Sequence, residues 1–221
     1  MKYLSAVLLM SPSAGRKVQA IAMRAGVVLD AVIANDPDAL ERGFSTRRDL
    51  LFAFGTGVIV PAWILEKSGL LALNVHAASP QYPGRDPHHF AIYDETKRYG
   101  ATIHYMVPSV DAGPIVDVEL FDVPPNITPV ALLELADQAG WELIERFFQK
   151  FITDGAPKPI LGISWSSRKS TRKLFLELCR IDPAMPKDEI VRRDKATSMP
   201  GYSNLYVDIK GYRFRLDGRP T

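Results

Sequence analysis

The chain has 221 residues, of which 47% are hydrophobic and 24% charged, and its formal net charge is +2. These proportions are ordinary for a globular protein and exclude the disordered and fibrous classes, and the length suffices for one well-buried domain with an appendage. Lys and Arg number 13 against 18 Asp and Glu in residues 1–155, but 14 against 7 in residues 156–221, so an anionic partner is expected at the C-terminal region.

Cys179 is the only cysteine, which excludes an intrachain disulfide and a thiolate-rich zinc site and fits a reducing cytoplasm. The apolar run of residues 4–10 follows Lys2 as in a signal peptide, but it is short for that role, and we interpret it as a first strand. No stretch approaches the roughly 20 apolar residues that span a bilayer. We therefore expect a cytoplasmic protein with no membrane partner.

The first third of the chain alternates between apolar runs and helical patterns. Strands are predicted over residues 3–10, 27–34, 50–54 and 71–75, with a helix over 16–25. This alternation predicts an α/β fold with a Rossmann-like, mostly parallel sheet and helices on both of its faces. In such sheets ligands bind beyond the carboxyl ends of the strands, where Asn74 and His76 lie.

The remaining elements divide the chain into two parts. A helix over 87–93, strands over 101–107 and 115–123, and a helix from Thr128-Pro129 to about residue 151 complete a main domain of residues 1–155. Residues 154–159 are rich in Pro and Gly and mark the boundary. Residues 156–221 are predicted to form a small basic α+β extension, with helices over 171–181 and 186–195 and a hairpin that turns at Lys210-Gly211.

Three polar residues with different chemistry stand near the ends of predicted strands: Asn74, His76 and Asp111. An amide and a protonated imidazole can bind a developing oxyanion, while a carboxylate can keep that imidazole cationic and help to deprotonate a nucleophile. Taken singly, each residue is more often structural, as a turn Asn, a core His or a loop carboxylate. Their joint spacing beside Pro and Gly turns predicts a carbonyl-transfer site that needs neither a metal nor a thiol.

The same residues carry a resemblance to a known family. The sequence has an Asn-x-His element followed by Pro and Gly, then Gly-x-Thr-Ile-His at 100–104, and then Val-Asp-x-Gly-Pro-Ile at 110–115. In this order it resembles the catalytic domain of the 10-formyltetrahydrofolate-dependent formyltransferases, which include methionyl-tRNA, glycinamide-ribotide and sugar N-formyltransferases. The turn at 77–80 departs from the family, since it reads Ala-Ala-Ser-Pro where Ser-Leu-Leu-Pro is more frequent.

The resemblance, which extends over about residues 3–152, implies roles for the three polar residues. Asn74 and His76 would donate to the formyl oxygen, the latter as an imidazolium. Asp111 would keep His76 protonated, hydrogen-bond the folate and relay a proton from the amine through water. The strand at 101–107 contains His104, which we interpret as structural support.

A Gly-x-Gly element at 55–57 follows the predicted strand at 50–54. It lacks the third glycine of a dinucleotide fingerprint, because position 60 is Val60. In the resembling family this region lines the pterin pocket, although plain packing between strand and helix would also explain it. The residues predicted to bind the cosubstrate 10-formyltetrahydrofolate are Phe54, Gly55, Val58, Ile59, Val110 and Gly113.

The acceptor is expected to bind near the cluster at 85–89 and the basic extension. Adjacent helical residues point about 100° apart, so the two histidines of this cluster are not expected to share a metal ion, and solvation of a helix surface is the simpler alternative. Aromatic and basic residues of the extension could hold a nucleotide diphosphate by stacking and charge. The residues predicted to bind the acceptor are Tyr82, Arg85, His88, Trp165 and Arg168.

These features favour an amine formyltransferase whose acceptor is an amino-sugar nucleotide, since the extension is too short for a tRNA-binding domain. Glycinamide ribotide, an amino acid and a hydroxylamine stay open as acceptors. A 10-formyltetrahydrofolate hydrolase and a non-catalytic folate- or nucleotide-binding module are alternatives, whereas an NAD-dependent oxidoreductase is disfavoured by the missing glycine. Nucleic acid is not an expected partner, and a homodimer stays open.

Overall fold

A computed structural model describes residues 1–216. Its main sheet has the strands β1 (Lys2–Leu9), β2 (Val27–Ala34), β3 (Leu50–Phe54), β4 (Leu71–His76), β5 (Arg98–Tyr105) and β6 (Ile115–Asp122). Their spatial order is β2-β1-β3-β4-β5-β6. The first four strands in this order pair in parallel, and β5 and β6 are added antiparallel. The mostly parallel sheet is thereby confirmed.

Helices cover both faces of this sheet: α1 (Pro12–Arg24), α2 (Pro37–Gly43), α3 (Ala62–Leu65), α4 (Pro87–Tyr93) and α5 (Pro129–Asp154). Successive residues of a strand point to opposite faces. Phe52 of β3 accordingly joins the apolar cluster under α1 and α5, whereas its neighbour Leu51 joins the cluster under α2 and α3. The central strands are therefore buried on both sides, which explains their continuous apolar sequence.

Three helices begin at a capping residue followed by proline. Ser11, Asp36 and Thr128 each accept a hydrogen bond from the backbone amide three residues ahead. Helix α2 begins in this way at Asp36-Pro37, where the sequence predicted no helix. The first apolar run forms β1, as expected, and β5 begins and ends a few residues earlier than predicted.

The C-terminal region forms α6 (Arg172–Cys179), α7 (Lys187–Thr197) and the hairpin β7 (Tyr206–Ile209) and β8 (Tyr212–Arg215), as the sequence predicts. Helix α7 packs on α4. Tyr93 of α4 donates to Glu189 at 2.9 Å, and Nδ1 of His89 donates to the carbonyl of Ala196 at 2.7 Å. Within the described residues, no helix is long and apolar enough to cross a membrane.

Candidate active site

The register between β4 and β5 brings two of the polar side chains together. Asn74 lies directly opposite His104 in this antiparallel pair, and directly opposed residues share one face of a sheet. The side-chain amide nitrogen of Asn74 is 3.1 Å from Nε2 of His104. The other ring nitrogen of His104 donates to the Tyr105 carbonyl at 2.8 Å, so Nε2 is the atom that faces the site.

Asp111 lies at the centre of the polar cluster. It is buried in the loop between β5 and β6, with a left-handed backbone at φ 45°. Its Oδ2 accepts a hydrogen bond from the Gly84 amide at 2.8 Å and lies 3.6 Å from Nδ1 of His76. Its Oδ1 is 3.4 Å from Nε2 of His104. The carboxylate therefore contacts both imidazoles and the turn that follows β4.

His76 differs from the sequence expectation in its charge. Its Nε2 donates to the Tyr82 carbonyl at 2.9 Å. Burial lowers the pKa of His76 below its ordinary value of 6.5, and this outweighs the raising effects of Asp111 and of the Tyr82 carbonyl. The expectation that Asp111 keeps His76 cationic is therefore wrong for the protein alone, in which a neutral ring offers Nδ1 as a proton acceptor.

Asp111 itself remains ionised. Burial would raise its pKa, but the neighbouring imidazoles of His104 and His76 and the hydrogen bond from the Gly84 amide together lower it below the ordinary value. The cluster thus holds a carboxylate beside a neutral imidazole. It can accept a proton on either group.

The side-chain amide of Asn74 supplies the complementary function. It carries two protons, and only one of them can donate to Nε2 of His104. The second proton is available to a ligand, because Asn74 lines a cavity that opens beside the cluster. The site can therefore donate a hydrogen bond to an oxygen and accept a proton close by, as attack of an amine on a carbonyl carbon requires.

A cavity of about 580 Å³ opens beside this cluster, which is a size suited to a small-molecule ligand. Asn74, His76, His104 and Asp111 all line it. The structure places six of the residues predicted to bind folate or acceptor in the same wall, namely Gly55, Val58, Ile59, Val110, Arg85 and His88.

Two predicted ligand contacts point into the protein. The ring of Phe54 is perpendicular to that of Trp141 at 5.1 Å and packs so closely on α5 that a Cβ at Gly140 would lie 2.9 Å from it. The ring of Tyr82 packs against Tyr99 at 5.8 Å. Neither ring lines the cavity, and the contact of Phe54 and Tyr82 with a ligand stays a prediction.

Arg168 and Gly113 also lie outside the cavity wall. Arg168 forms an ion pair with Asp94 at 2.9 Å, so its guanidinium is engaged on the surface. Gly113 packs against the Tyr105 carbonyl, which a Cβ would approach to 1.9 Å, and only glycine fits there. Its contribution is close packing at the base of the Asp111 loop.

The ring of Trp165 packs against two histidines of the cluster. Its ring is edge-on to His76, with ring centres 5.9 Å apart, and to His104, with ring centres 5.0 Å apart. Its indole N–H donates to the Gly113 carbonyl at 2.8 Å. The structure therefore places Trp165 against the histidines of the site, and not in the cavity where the acceptor was expected.

His88 is a buried histidine of the cavity wall. It is 8% exposed, and its Nδ1 is sealed from solvent without a hydrogen-bond partner among the described residues. Burial and the neighbouring His89 lower the pKa of His88 to about 3. The ring is therefore neutral at pH 7, and its proton is favoured on Nε2, where a ligand oxygen could accept it.

The sequence that carries this site matches a known protein family. Residues 12–146 match the model of the family described as "Formyl transferase", which is more than half of the chain. The chain belongs to the formyl transferase family. The matched range includes Asn74, His76, His104 and Asp111 but ends before Trp165.

Methionyl-tRNA formyltransferases are similar to this chain in sequence. That of Variovorax paradoxus (strain S110) is 28% identical over 169 residues, which cover 76% of this chain and 52% of the relative. That of Bacillus thuringiensis (strain Al Hakam) is 32% identical over 120 residues, which cover 54% of this chain and 38% of the relative. The chain thus spans about half or less of the length of these curated relatives.

Solved structures of similar length share the fold. A 4-N formyltransferase from Francisella tularensis superposes with a TM-score of 0.74 at 18% identity, covering 97% of this chain and 96% of that one. A sugar N-formyltransferase from a Shewanella species superposes with a TM-score of 0.74 at 16% identity, covering 100% of this chain and 99% of that one. The N-formyltransferase from Helicobacter canadensis was solved with folinic acid and dTDP-3-aminofucose. It superposes with a TM-score of 0.67 at 17% identity, covering 94% of this chain and 84% of that one.

Proposed function

We propose that this protein transfers a formyl group from 10-formyltetrahydrofolate to an amine. The observation that carries the proposal is a chain of contacts beside the 580 Å³ cavity, in which His104 contacts Asn74 and Asp111, and Asp111 contacts His76. A hydrogen-bond donor for an oxyanion and an acceptor for a proton lie there within a few ångströms of each other. Membership of the formyl transferase family supports this reading.

The reaction begins when the acceptor nitrogen attacks the formyl carbon. A bond forms between them, and negative charge develops on the formyl oxygen. The free amide proton of Asn74 donates to that oxygen, and loss of one such donor typically removes about 3 to 4 kcal/mol of transition-state stabilisation. The neutral ring of His76 has no free N–H to donate to this oxygen, because its Nε2–H already donates to the Tyr82 carbonyl.

The attacking nitrogen becomes positively charged and must lose a proton. Asp111 takes up this proton, directly or through one water, and shares it with Nδ1 of His76, which is 3.6 Å away. The bond between the formyl carbon and N10 of the folate then breaks as the oxyanion collapses. N10 receives the proton, so the products are tetrahydrofolate and the formamide of the acceptor.

In this proposal the cosubstrate occupies the apolar side of the cavity. Val58, Ile59 and Val110 line this side, and Ile59 and Val110 are 65% and 42% exposed in the protein alone. A flat pterin ring would cover these side chains and remove apolar surface from water. The folinic acid bound by the Helicobacter canadensis relative is a molecule of the same class.

For the acceptor we propose the amino group of an amino-sugar nucleotide. Arg85 and His88 line the cavity and offer a positive charge and a neutral N–H to a polar, anionic molecule. The solved relatives of similar length support this choice, since one is a sugar N-formyltransferase and another was crystallised with dTDP-3-aminofucose. The methionyl-tRNA formyltransferases, by contrast, are about twice as long as the part that matches.

A panel of acceptors tests this proposal. The protein is incubated with 10-formyltetrahydrofolate and, separately, with amino-sugar nucleotides, glycinamide ribotide, an amino acid, a hydroxylamine or no amine, while formation of tetrahydrofolate is followed spectroscopically. We expect turnover that depends on an amino-sugar nucleotide. Equal release of formate without any amine would instead identify a hydrolase, and absence of turnover with every acceptor would contradict the proposal.

A further inference from the structure

Residues 165–170 run across the loops that carry the site, and we call this segment the strap. The strap is hydrogen-bonded along the turn that follows β4. The Ser166 amide donates to the Pro80 carbonyl at 2.9 Å, and the Ser170 amide donates to the Pro83 carbonyl at 2.9 Å. The turn that shapes the site is therefore paired with a segment that lies beyond the family match and beyond the predicted domain boundary at 155.

The strap also holds the Asp111 loop on both sides of the carboxylate. On one side Nζ of Lys169 donates to the Val110 carbonyl and lies 3.5 Å from the hydroxyl of Ser109. On the other side the indole of Trp165 donates to the Gly113 carbonyl. Both contacts fall within two residues of Asp111.

Such support matters because the backbone of Asp111 is strained. A non-glycine residue at φ 45° is in the left-handed region, which is unfavourable by about 1 kcal/mol or more and persists where the surroundings hold it. Release of the loop would let Asp111 relax and move its carboxylate away from His76. Displacement of a reacting group by about 1 Å can lower a rate on the order of 100-fold.

We propose that the strap is a positioning element of the active site, in which Trp165 both fixes the Asp111 loop and shields His76 and His104 from water. This inference rests on the proposed function for its kinetic consequences. Trp165 acts through its neighbours and is a positioning residue, since it does not line the cavity.

The shielding has an electrostatic consequence at His76. Three groups face this imidazole: Asp111 from its loop, His104 from β5 and the Tyr82 carbonyl from the turn. Burial is nevertheless the largest influence, and it lowers the pKa of His76. Because the indole edge covers the ring, removal of Trp165 would admit water, and the pKa of His76 would rise towards its ordinary value.

Two substitutions separate the functions of Trp165. Trp165→Phe removes the hydrogen bond to Gly113 but keeps an aromatic cover, whereas Trp165→Ala removes both. Trp63 of α3 is the matched control, since it is 46% exposed and outside the cavity wall. For every variant the pKa of His76 is measured by NMR titration, and kcat and KM are measured with 10-formyltetrahydrofolate.

We expect Trp165→Phe to lower kcat on the order of 10-fold, with KM for the folate changed less than about twofold and the pKa of His76 unchanged. Trp165→Ala should lower kcat further and raise the pKa of His76, and the acid limb of the kcat/KM profile should move to higher pH. Trp63→Ala should change none of these.

Wild-type values of kcat and of the His76 pKa in Trp165→Ala would overturn the inference. If Trp165→Ala fails to fold, Trp165→Phe decides the matter through kcat alone. If the wild-type protein shows no formyl transfer, the proposed function fails, but the NMR titration still tests the strap, because the shielding of His76 does not depend on turnover.

Discussion

The backbone amide of Gly84 donates to Oδ2 of Asp111 at 2.8 Å, which joins the turn after β4 to the loop after β5. Gly84 has φ 102° and forms a bridge with Ser170 of the strap. One glycine therefore connects the two motifs that the sequence shows 27 residues apart. A side chain cannot be placed there, since a Cβ would lie 2.2 Å from the Ser170 carbonyl oxygen.

Gly84→Ala tests this connection. We expect the free energy of unfolding to fall by about 2 kcal/mol, because the alanine is strained at positive φ and clashes with Ser170. Formyl transfer should fall as well, since this clash would displace the backbone amide that donates to Asp111. Urea unfolding and kcat measure the two effects, and Gly201→Ala is the control, because Gly201 has φ 84° but a Cβ there would meet no atom within 4 Å. Equal losses of stability in both variants would show that the contact with Ser170 is unimportant.

His104 should matter for the reaction, although its place in a predicted strand favoured a role in structural support. His104→Ala leaves the Asn74 amide without its partner and removes one contact of the Asp111 carboxylate, which keeps the Gly84 amide; an unsatisfied buried group typically costs about 1 to 3 kcal/mol. We expect a loss of kcat, with partial recovery in His104→Gln, whose amide can replace one contact. The rates of the two variants measure this, and full activity of the alanine variant would rule out a role for His104.

Phe54 should contribute to stability and not to folate binding. Phe54→Leu leaves a small defect against Trp141, and we expect a loss of about 1 kcal/mol in the free energy of unfolding with an unchanged KM for the folate. Val58→Ala, on the cavity wall, should raise that KM with little change in stability. Thermal unfolding measures the effect on stability, and steady-state kinetics measures the effect on KM. A raised KM with unchanged stability in Phe54→Leu would show that Phe54 contacts the folate.

Acid should destabilise the protein through His88. Its pKa is about 3 in the folded protein and about 6.5 when unfolded, so above pH 6.5 the ring is neutral in both states and no stability is lost. As the pH falls from 6.5 to 3, the unfolded chain binds a proton that the folded protein excludes. Stability then falls by about 1.4 kcal/mol per pH unit from this group.

Urea unfolding at several pH values between about 7 and 4 measures this slope. His88→Phe lacks the titrating ring but keeps an aromatic side chain beside His89, so its stability should depend less steeply on pH than that of the wild type. Identical slopes in the two proteins would show that His88 is not held neutral by the fold.

Much of the framework followed from the sequence because its signals are local. The limits of β2, β3 and α4 agree with the apolar runs and with Pro87. The start of α2 was missed, since Asp36-Pro37 has the composition of a turn as well as of a capped helix. Only packing of Leu40 into the core distinguishes the two.

The candidate site was only partly predictable because its contacts are long-range. Asn74, His76 and Asp111 were found from their motifs, but the contact of His104 with Asn74 depends on the antiparallel register of β5, which an alternating βα pattern does not indicate. The position of Trp165 depends on how the chain returns after α5. The pKa of His76 was misjudged because a neighbouring carboxylate is visible in the motif and burial is not.

The rate of formyl transfer by Asp111→Asn, measured beside Asn74→Ala and the wild type, tests the central claim most directly. Asp122→Asn is the matched control, since the side chain of Asp122 is 94% exposed at the end of β6. We predict that kcat falls on the order of 100- to 1,000-fold in both site variants and is unchanged in the control, while all three remain folded. Wild-type rates in Asp111→Asn and Asn74→Ala would contradict the assignment of the chemistry to this cluster.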